Sequence, residues 1–380
     1  IFLSSGMDST AIAALASRER AGVHTFTVVF PEQEYSEAAM ARRTALRLGT
    51  RHEEMLLSGV DLEARLMEAV GALDQPTMDG VNTFFVSWAA RQTGLKVALS
   101  GLGGDELFGG YSTFQTVPRA ERLARVARRL PSAARKAAAA VAGLGNRDGM
   151  GDARRKMKAL WREPAALPHA YFFARALFAP EQAARLAGRS SLEVAGTAWG
   201  EWMEETARGA RELGEMTGVS CLEMRSYMVN TLLRDTDAVS MSQSLEVRVP
   251  LLDTPLVEFV AGLPEKVKRG AKKRLLREAL GELLPEEVAG QKKRTFTFPW
   301  EKWLRGGLGR RVREGLEEPA GALETALDGK AVRDVWKEFQ AGRTSWSRPW
   351  SLFVLNEWVR KNLKAAESNA EVRAQQMASG

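Results

Sequence analysis

The sequence predicts an α/β protein in which a parallel sheet with flanking helices is joined to a helical insertion and a helical carboxy-terminal part. Three observations carry this expectation. Up to about residue 110, short β-rich runs alternate with helical patterns, as a parallel sheet covered on both faces requires. From Pro118 to about Glu215 the chain is rich in Ala and Arg and carries only helical periodicity. Helical patterns then resume at 222–233, 274–284 and 350–363.

In chain order, the expected elements begin with a strand at 1–3 and a helix from Asp8, where Asp8-Ser9 precede the apolar spacing of Ile12, Leu15 and Ala16. A strand at 24–30 leads to a helix capped by Ser36, with Glu37 in its first turn. A strand at 52–57, a helix from Val60, a helix near 84–93 and a strand at 96–99 complete this part. The helical lobe is broken by Pro131, the glycine-containing stretch 143–151, Pro164 and Pro168. The expected units are therefore an α/β core at 1–117, a helical lobe at 118–215, a helical completion of the site at 216–363, and a polar tail at 364–380 that frays.

Composition narrows the function classes. At 380 residues, with 45% hydrophobic and 27% charged residues, the chain is long enough for about two domains and fits neither the disordered nor the membrane class. Its most apolar stretch, 137–144, is alanine-rich and far short of a membrane span. One cysteine, Cys221, excludes an intrachain disulfide framework and a multi-cysteine zinc site, and it is compatible with a reducing cytoplasm. His24, His52 and His169 are scattered and read as structural. The net charge of +7 is concentrated between Arg119 and Arg162; without interleaved aromatics this is a solvated face of surface helices rather than a nucleic-acid patch. Ile1-Phe2-Leu3 reads as a strand already under way, so the chain is expected to be the carboxy-terminal part of a longer protein.

Two loops carry chemistry. Ser4-Ser5-Gly6-Met7-Asp8-Ser9 lies between a strand and a helix, where backbone N–H groups and the positive helix end attract anions. A Walker loop would end in Lys; here Asp8 stands instead and suits a Mg²⁺ ion beside phosphates. Taken alone, the hexapeptide is equally an ordinary helix start. The second loop, Ser100-Gly101-Leu102-Gly103-Gly104-Asp105-Glu106-Leu107-Phe108-Gly109-Gly110-Tyr111, follows another buried run. Its glycines, Gly103 and Gly104 among them, allow a ligand to approach the backbone, and Asp105 and Glu106 are its only charges. Loops at the carboxyl ends of parallel strands meet in one crevice, so Asp8 and Asp105 are expected to converge on one metal.

At these loops the sequence resembles the PP-loop ATP pyrophosphatases, and in particular the synthetase domain of glutamine-hydrolysing asparagine synthetases. Ser4–Ser9 is similar to the motif Ser-Gly-Gly-x-Asp-Ser, and Ser100–Tyr111 to Ser-Gly-Glu-Gly-x-Asp-Glu-x-Phe-Gly-Gly-Tyr. A third block runs from Asp237 through Met241, Glu246, Arg248 and Pro250 to Asp253; a fourth is Lys273-Arg274-Leu275-Leu276-Arg277, and a looser fifth spans 292–299. The resemblance covers residues 1 to about 363 and implies a PP-loop, adenine-nucleotide α-hydrolase-like fold.

It also implies roles. Ser4, Ser5, Gly6, Asp8 and Ser9 would hold pyrophosphate, with Asp8 and Asp105 on Mg²⁺. Phe2, Val28, Ser100 and Gly101 would surround the adenosine of ATP. Lys273 would face the α-phosphate and the activated carboxylate, where a positioned cation stabilises developing charge; by itself the run Lys272-Lys273-Arg274 reads as a solvated helix start. Glu246 and Arg248 read as a structural charge pair organising the site. Implied partners are a small-molecule carboxylate and ammonia, the latter from an amino-terminal glutaminase domain outside this chain or from a separate source. A homodimer is among the assemblies the resemblance allows, with no nucleic acid or membrane partner.

Three positions depart from the pattern. Leu102 stands where asparagine-forming members carry a Glu able to take a proton from ammonia, Ala238 replaces an Arg, and Thr295 replaces a Gly. The default reaction is aspartate, ATP and ammonia giving asparagine, AMP and pyrophosphate through an acyl-adenylate. The rival favoured by Leu102 is the same adenylation serving another acceptor, as in β-lactam synthetases, lasso-peptide cyclases or amidotransferases of polysaccharide or peptide pathways. Rivals of other classes are a tRNA-modifying PP-loop protein and a non-catalytic partner-binding descendant.

Overall fold

The structure, a computed structural model, describes residues 1–32, 37–143, 151–191, 193–270, 272–290 and 298–378. It is a helix-rich α/β protein whose strands are all parallel but short. β1 (His24–Val29) pairs with β2 (Arg51–Leu56), and β3 (Val97–Leu99) with β4 (Glu246–Arg248). The expected first strand is reduced to one bridge, Phe2 to Phe26, yet it stitches the two pairs together. Leu3 N donates to Phe26 O at 2.8 Å on one side, and Phe2 N donates to Leu99 O at 3.0 Å on the other. The order across the molecule is therefore β2, β1, residues 1–3, β3, β4. β1 is buried along most of its length, whereas β2, at the edge, is largely exposed.

β4 escaped the sequence reading because three residues within a longer motif carry no alternation to read. Its flanking charges also differ from expectation. Glu246 and Arg248 do pair, with Arg248 Nε donating to Glu246 Oε1 at 2.7 Å, but their side chains are 53% and 62% exposed. Such a surface pair contributes little, about 0–1 kcal/mol, and does not organise the site; Val247 between them faces the cleft instead.

Helix boundaries follow local chemistry. The first helix, Met7–Glu19, starts one residue before Asp8; Gly6 is its N-cap with no side-chain cap, so Asp8 and Ser9 sit inside the first turn rather than capping it. The proposed Ser36 cap lies outside the described residues, and the next helix runs from Ala38 to Leu48, ending on Gly49 at φ 65°. Ser58 and Asp61 form a reciprocal capping box for Gly59–Gly71. The helix expected near 84–93 begins earlier, at Gly80.

A large core packs Phe84, Phe85, Phe298, Trp300, Trp350 and Phe353 against the strands. A second cluster, including Phe114, Leu160, Tyr171, Phe172, Met203 and Leu222, fills the helical lobe. Basic residues of the lobe are drawn into ion pairs, among them Arg122 with Glu215, Arg128 with Glu121, and Arg162 with Glu181. The break expected at 143–151 falls mostly on residues outside those described, as do most of the fifth block and Thr295.

The expected helix at 222–233 is a π-helical stretch, Met224–Leu233, continuous with α-helices Glu215–Glu223 before it and Arg234–Ser242 after it. In an α-helix, residues five apart diverge by about 140°. The wider π turn returns the fifth residue to the same side, and Tyr227 and Leu232 accordingly line one wall of the cleft. The helix expected at 274–284 stops at Leu280 and passes into a 3-10 turn, Gly281–Leu283. The closing helix runs from Ser347 to Ala378.

Candidate active site

A cleft of about 590 Å³ opens at the carboxyl ends of the strands, bounded by both glycine-containing loops. Phe2, Ser4, Ser5, Gly6, Asp8 and Ser9 line it from the first loop. Val28, Ser100, Gly101, Gly103, Asp105 and Lys273 line it from elsewhere. Gly104 is the exception: it is packed behind the wall, where an added Cβ would come within 2.3 Å of Asp8 Oδ1. Its glycine is needed for two loops to touch rather than for a ligand to approach.

The first loop is folded on its own hydroxyls. Ser4 Oγ and Ser9 Oγ lie 2.9 Å apart, and Gly6 N donates to Ser4 Oγ at 3.1 Å. Ser5 is held from outside: its N donates to Glu37 Oε2 at 3.1 Å and its Oγ to Glu37 Oε1 at 2.8 Å. A carboxylate thus occupies donors of the kind an anion-binding loop presents.

At the heart of the cleft, the Lys273 ammonium contacts both predicted aspartates. Nζ lies 2.6 Å from Asp105 Oδ1 and is ion-paired as well with Asp8 Oδ2. Lys273 is only 9% exposed and adopts φ 53°, a left-handed conformation that a non-glycine residue takes at a cost. Burial acts to lower the Lys273 pKa, but the charges of Asp8 and Asp105 more than offset it and leave it above a lysine's ordinary value. The run Lys272-Lys273-Arg274, which by itself reads as a solvated helix start, instead buries Lys273 on the cleft wall. Gly110 makes the contact sterically feasible, since a Cβ there would lie 1.7 Å from Asp105 Oδ1 and 2.4 Å from Lys273 Cε.

The same cleft is also lined by groups to which the sequence reading assigned no role. Tyr111 donates its phenol to Glu106 Oε1 at 2.7 Å, and Tyr227 donates to Asp79 Oδ2 at the same distance. Burial pushes the Glu106 carboxyl up to about 7 and raises Asp79 above the usual carboxylate range. Arg175, from the helical lobe, lines this cleft, and so does Leu102. Tyr111 and Glu106 stood inside a quoted motif, but Arg175 is one of many arginines in an Ala/Arg-rich stretch and carried no sequence signal. Among the described residues no cluster of three or more His, Cys, Asp or Glu is placed to hold a metal by itself, and no helix is long and apolar enough to cross a membrane.

A cleft at the carboxyl ends of parallel strands, lined by two glycine-containing loops and a buried lysine between two aspartates, defines a ligand-binding α/β protein. The profile of the family described as Asparagine synthase matches residues 1–360, and the chain belongs to that family, whose synthetases are ligases that form carbon–nitrogen bonds. It is 31% identical over 370 residues to a Mycobacterium tuberculosis protein described as a candidate glutamine-hydrolyzing asparagine synthetase, covering 94% of this chain and 53% of that protein. It is 27% identical over 368 residues to glutamine-hydrolyzing asparagine synthetase 1 of Bacillus subtilis, covering 96% and 56%. An amidase of Penicillium rubens, chyE, is 26% identical over 359 residues, with 83% and 51% covered. The chain spans about half the length of these curated relatives.

Proposed function

We propose that the chain uses ATP to activate a carboxylate as its acyl-adenylate and passes the acyl group to nitrogen, with aspartate and ammonia as the default pair and a PP-loop fold beneath the site. The observation that carries this reading is the meeting of Asp8, Asp105 and Lys273 at one point between two anion-friendly loops. In this reading the Ser4–Ser9 loop holds pyrophosphate through hydroxyls and backbone N–H groups, and Phe2 and Val28 border the adenosine. Lys273 places a fixed cation where charge builds on phosphorus during attack.

The donor set also fits Mg²⁺. Two carboxylates touching one ammonium are close enough together to share one small ion, and Mg²⁺ favours one or two carboxylates completed by phosphate oxygens and water. Bound between Asp8 and Asp105, such an ion would neutralise the pyrophosphate leaving group. The nitrogen donor would be ammonia from a glutaminase activity or from another source; the relatives above are named as glutamine-hydrolyzing.

Leu102 on the cleft wall favours a second reading, in which the same activation serves a different nitrogen acceptor. The test of the shared step is carboxylate-dependent exchange of labelled pyrophosphate into ATP. Asp8→Asn and Asp105→Asn should each lower it at least ~100-fold, as loss of about 3 kcal/mol of transition-state stabilisation requires. Unchanged exchange in both variants overturns the assignment.

A further inference from the structure

A π-helical stretch as long as Met224–Leu233 is uncommon, and its sequence gives no local reason for one. It contains neither Gly nor Pro, the residues at which a helical ladder ordinarily breaks. Left to itself it should close as α-helix, like Glu215–Glu223 before it and Arg234–Ser242 after it. The register must come from what packs against it.

That neighbour is the segment 72–79, which joins the helices Gly59–Gly71 and Gly80–Gln92. Pro76 fixes a tight turn in it, with Thr77 N donating to Gln75 O at 2.9 Å. On either side of this turn, side chains grip the helix. Gln75 Nε2 donates to the Asn230 carbonyl at 2.5 Å, and Thr77 Oγ1 to Asp235 Oδ2 at 2.5 Å. Arg234 Nε donates to Asp74 Oδ2 at 2.6 Å, and Tyr227 Oη to Asp79 Oδ2 at 2.7 Å. Asp235 is 2% exposed, so its bond with Thr77 is shielded from water, whereas the Arg234–Asp74 pair is half-exposed and contributes little. Carbonyls of the same segment are taken by the closing helix. Trp350 Nε1 donates to Met78 O at 3.2 Å, Trp358 Nε1 to Leu73 O at 3.0 Å, and Lys361 Nζ to Gly71 O, at the end of the preceding helix, at 2.7 Å. The segment is thus a strap, tied by its backbone to the closing helix and by its side chains to the π-helix.

We propose that this strap sets the π register, and that Gln75 and Thr77 are positioning residues that act on the reaction through Tyr227. Their partners, Asn230 and Asp235, lie three and eight residues beyond Tyr227, whose phenol is held by the strap's own Asp79. A slip of the ladder between these points breaks at least one bond. In an α-helix Tyr227 and Leu232 would diverge by about 140°, and only one could face the cleft that both now line. The Tyr227 ring also packs against the Arg175 guanidinium, 4.1 Å from its centroid, and edge-on to Tyr111 with centroids 6.3 Å apart. Turning it away would unmake that wall.

The experiment reads the register and the reaction separately. The chain has four tyrosines, so labelling with 3-fluorotyrosine gives a fluorine NMR spectrum of four resonances, and Tyr227→Phe identifies the one that matters. Gln75→Leu and Thr77→Val, each measured well below its melting temperature, should shift or split the Tyr227 resonance. Thr77→Ser, which keeps the hydroxyl, should leave it in place. Trp358→Phe removes only the indole donor on the closing-helix side of the strap and should move the resonance in the same direction as Gln75→Leu. The kinetic arm rests on the adenylating reading above. In carboxylate-dependent pyrophosphate exchange, Gln75→Leu and Thr77→Val should lower kcat at least ~10-fold while the KM for ATP stays within about twofold, because the loops assigned to ATP lie outside the strap's contacts. Thr77→Ser should keep most of the activity.

A Tyr227 resonance unmoved in both variants overturns the proposal, whatever the activity. So does a loss of exchange that follows the melting temperature and that Thr77→Ser shares, since the strap would then be holding the fold alone. Where Gln75→Leu does not fold, Trp358→Phe decides in its place: movement of the resonance upholds the proposal, and no movement overturns it. If wild type supports no exchange with the carboxylates tried, the adenylating reading fails by itself. The fluorine spectra of Thr77→Val and Thr77→Ser then decide the strap, a displacement seen in the first and absent from the second upholding it and any other pattern overturning it.

Discussion

Lys273 Nζ sits 2.6 Å from Asp105 Oδ1, although 168 residues separate the two in sequence, and the same ammonium is ion-paired with Asp8. Replacing one partner of a buried, paired set leaves uncompensated charge and typically costs 3–5 kcal/mol, so a role in folding must be separated from a role in turnover. Lys273→Met should lower the melting temperature and also reduce the kcat of pyrophosphate exchange at least ~100-fold, with ATP affinity changing far less, because the contact is made mainly to developing charge. Weakened ATP binding with normal turnover at saturation would assign Lys273 to ground-state binding.

Glu37 makes the opposite kind of contact, with its carboxylate on Ser5 N and Ser5 Oγ. A phosphate arriving at those donors must displace a like charge. Glu37→Gln should therefore tighten ATP binding by about 5- to 10-fold, the equivalent of about 1 kcal/mol, in a fluorescence or calorimetric titration. Weaker binding in this variant would mean that Glu37 shapes the loop for the nucleotide.

Glu106 gives the fold a pH dependence with a definite sign. Its carboxyl is raised from 4.5 to about 7 by burial first, with Asp105 and Glu223 adding repulsion and the Tyr111 hydrogen bond opposing the shift. The folded state binds this proton more tightly than the unfolded chain does. The resulting stability is complete below about pH 4.5 and is lost as pH rises through about 7, a change on the order of 3 kcal/mol. Glu106→Gln should flatten this contribution, seen as a smaller fall in denaturation midpoint between pH 5 and 8 than in wild type. An unchanged slope would mean that the group is ionised in the folded protein throughout.

In the proposed reaction, Leu102 bears on capture of the activated acyl group by nitrogen. With no carboxylate at this wall position to take a proton, free ammonia should capture the adenylate poorly near neutral pH, where most of it is protonated. Paired measurement of pyrophosphate and asparagine at several ammonia concentrations should show release exceeding amide. Leu102→Glu should raise the amide without changing pyrophosphate release. One-to-one coupling in the unaltered chain would show that another base serves.

The residues that chemistry needs in fixed local spacing were open to reading in the sequence. Ser4 to Ser9 and Ser100 to Tyr111 are contiguous, and a strand, a glycine-containing turn and an acidic residue remain neighbours however the chain is packed. The same holds for the alternation of β1, the helix Ala38–Leu48 and β2, whose parallel pairing follows from the helix between them. What depends on distant partners was readable only through the family resemblance, as for Lys273, or not at all. Lys273 looks like one more surface lysine until the chain returns it to Asp8, and Glu246 and Arg248 look like site residues until β4 turns them outward. Arg175 becomes distinctive only when the lobe lays it between Tyr111 and Tyr227, which come from a loop and from a π-helical turn. Burial decides which charges matter, and burial is a property of packing between segments far apart in the chain rather than of spacing along it.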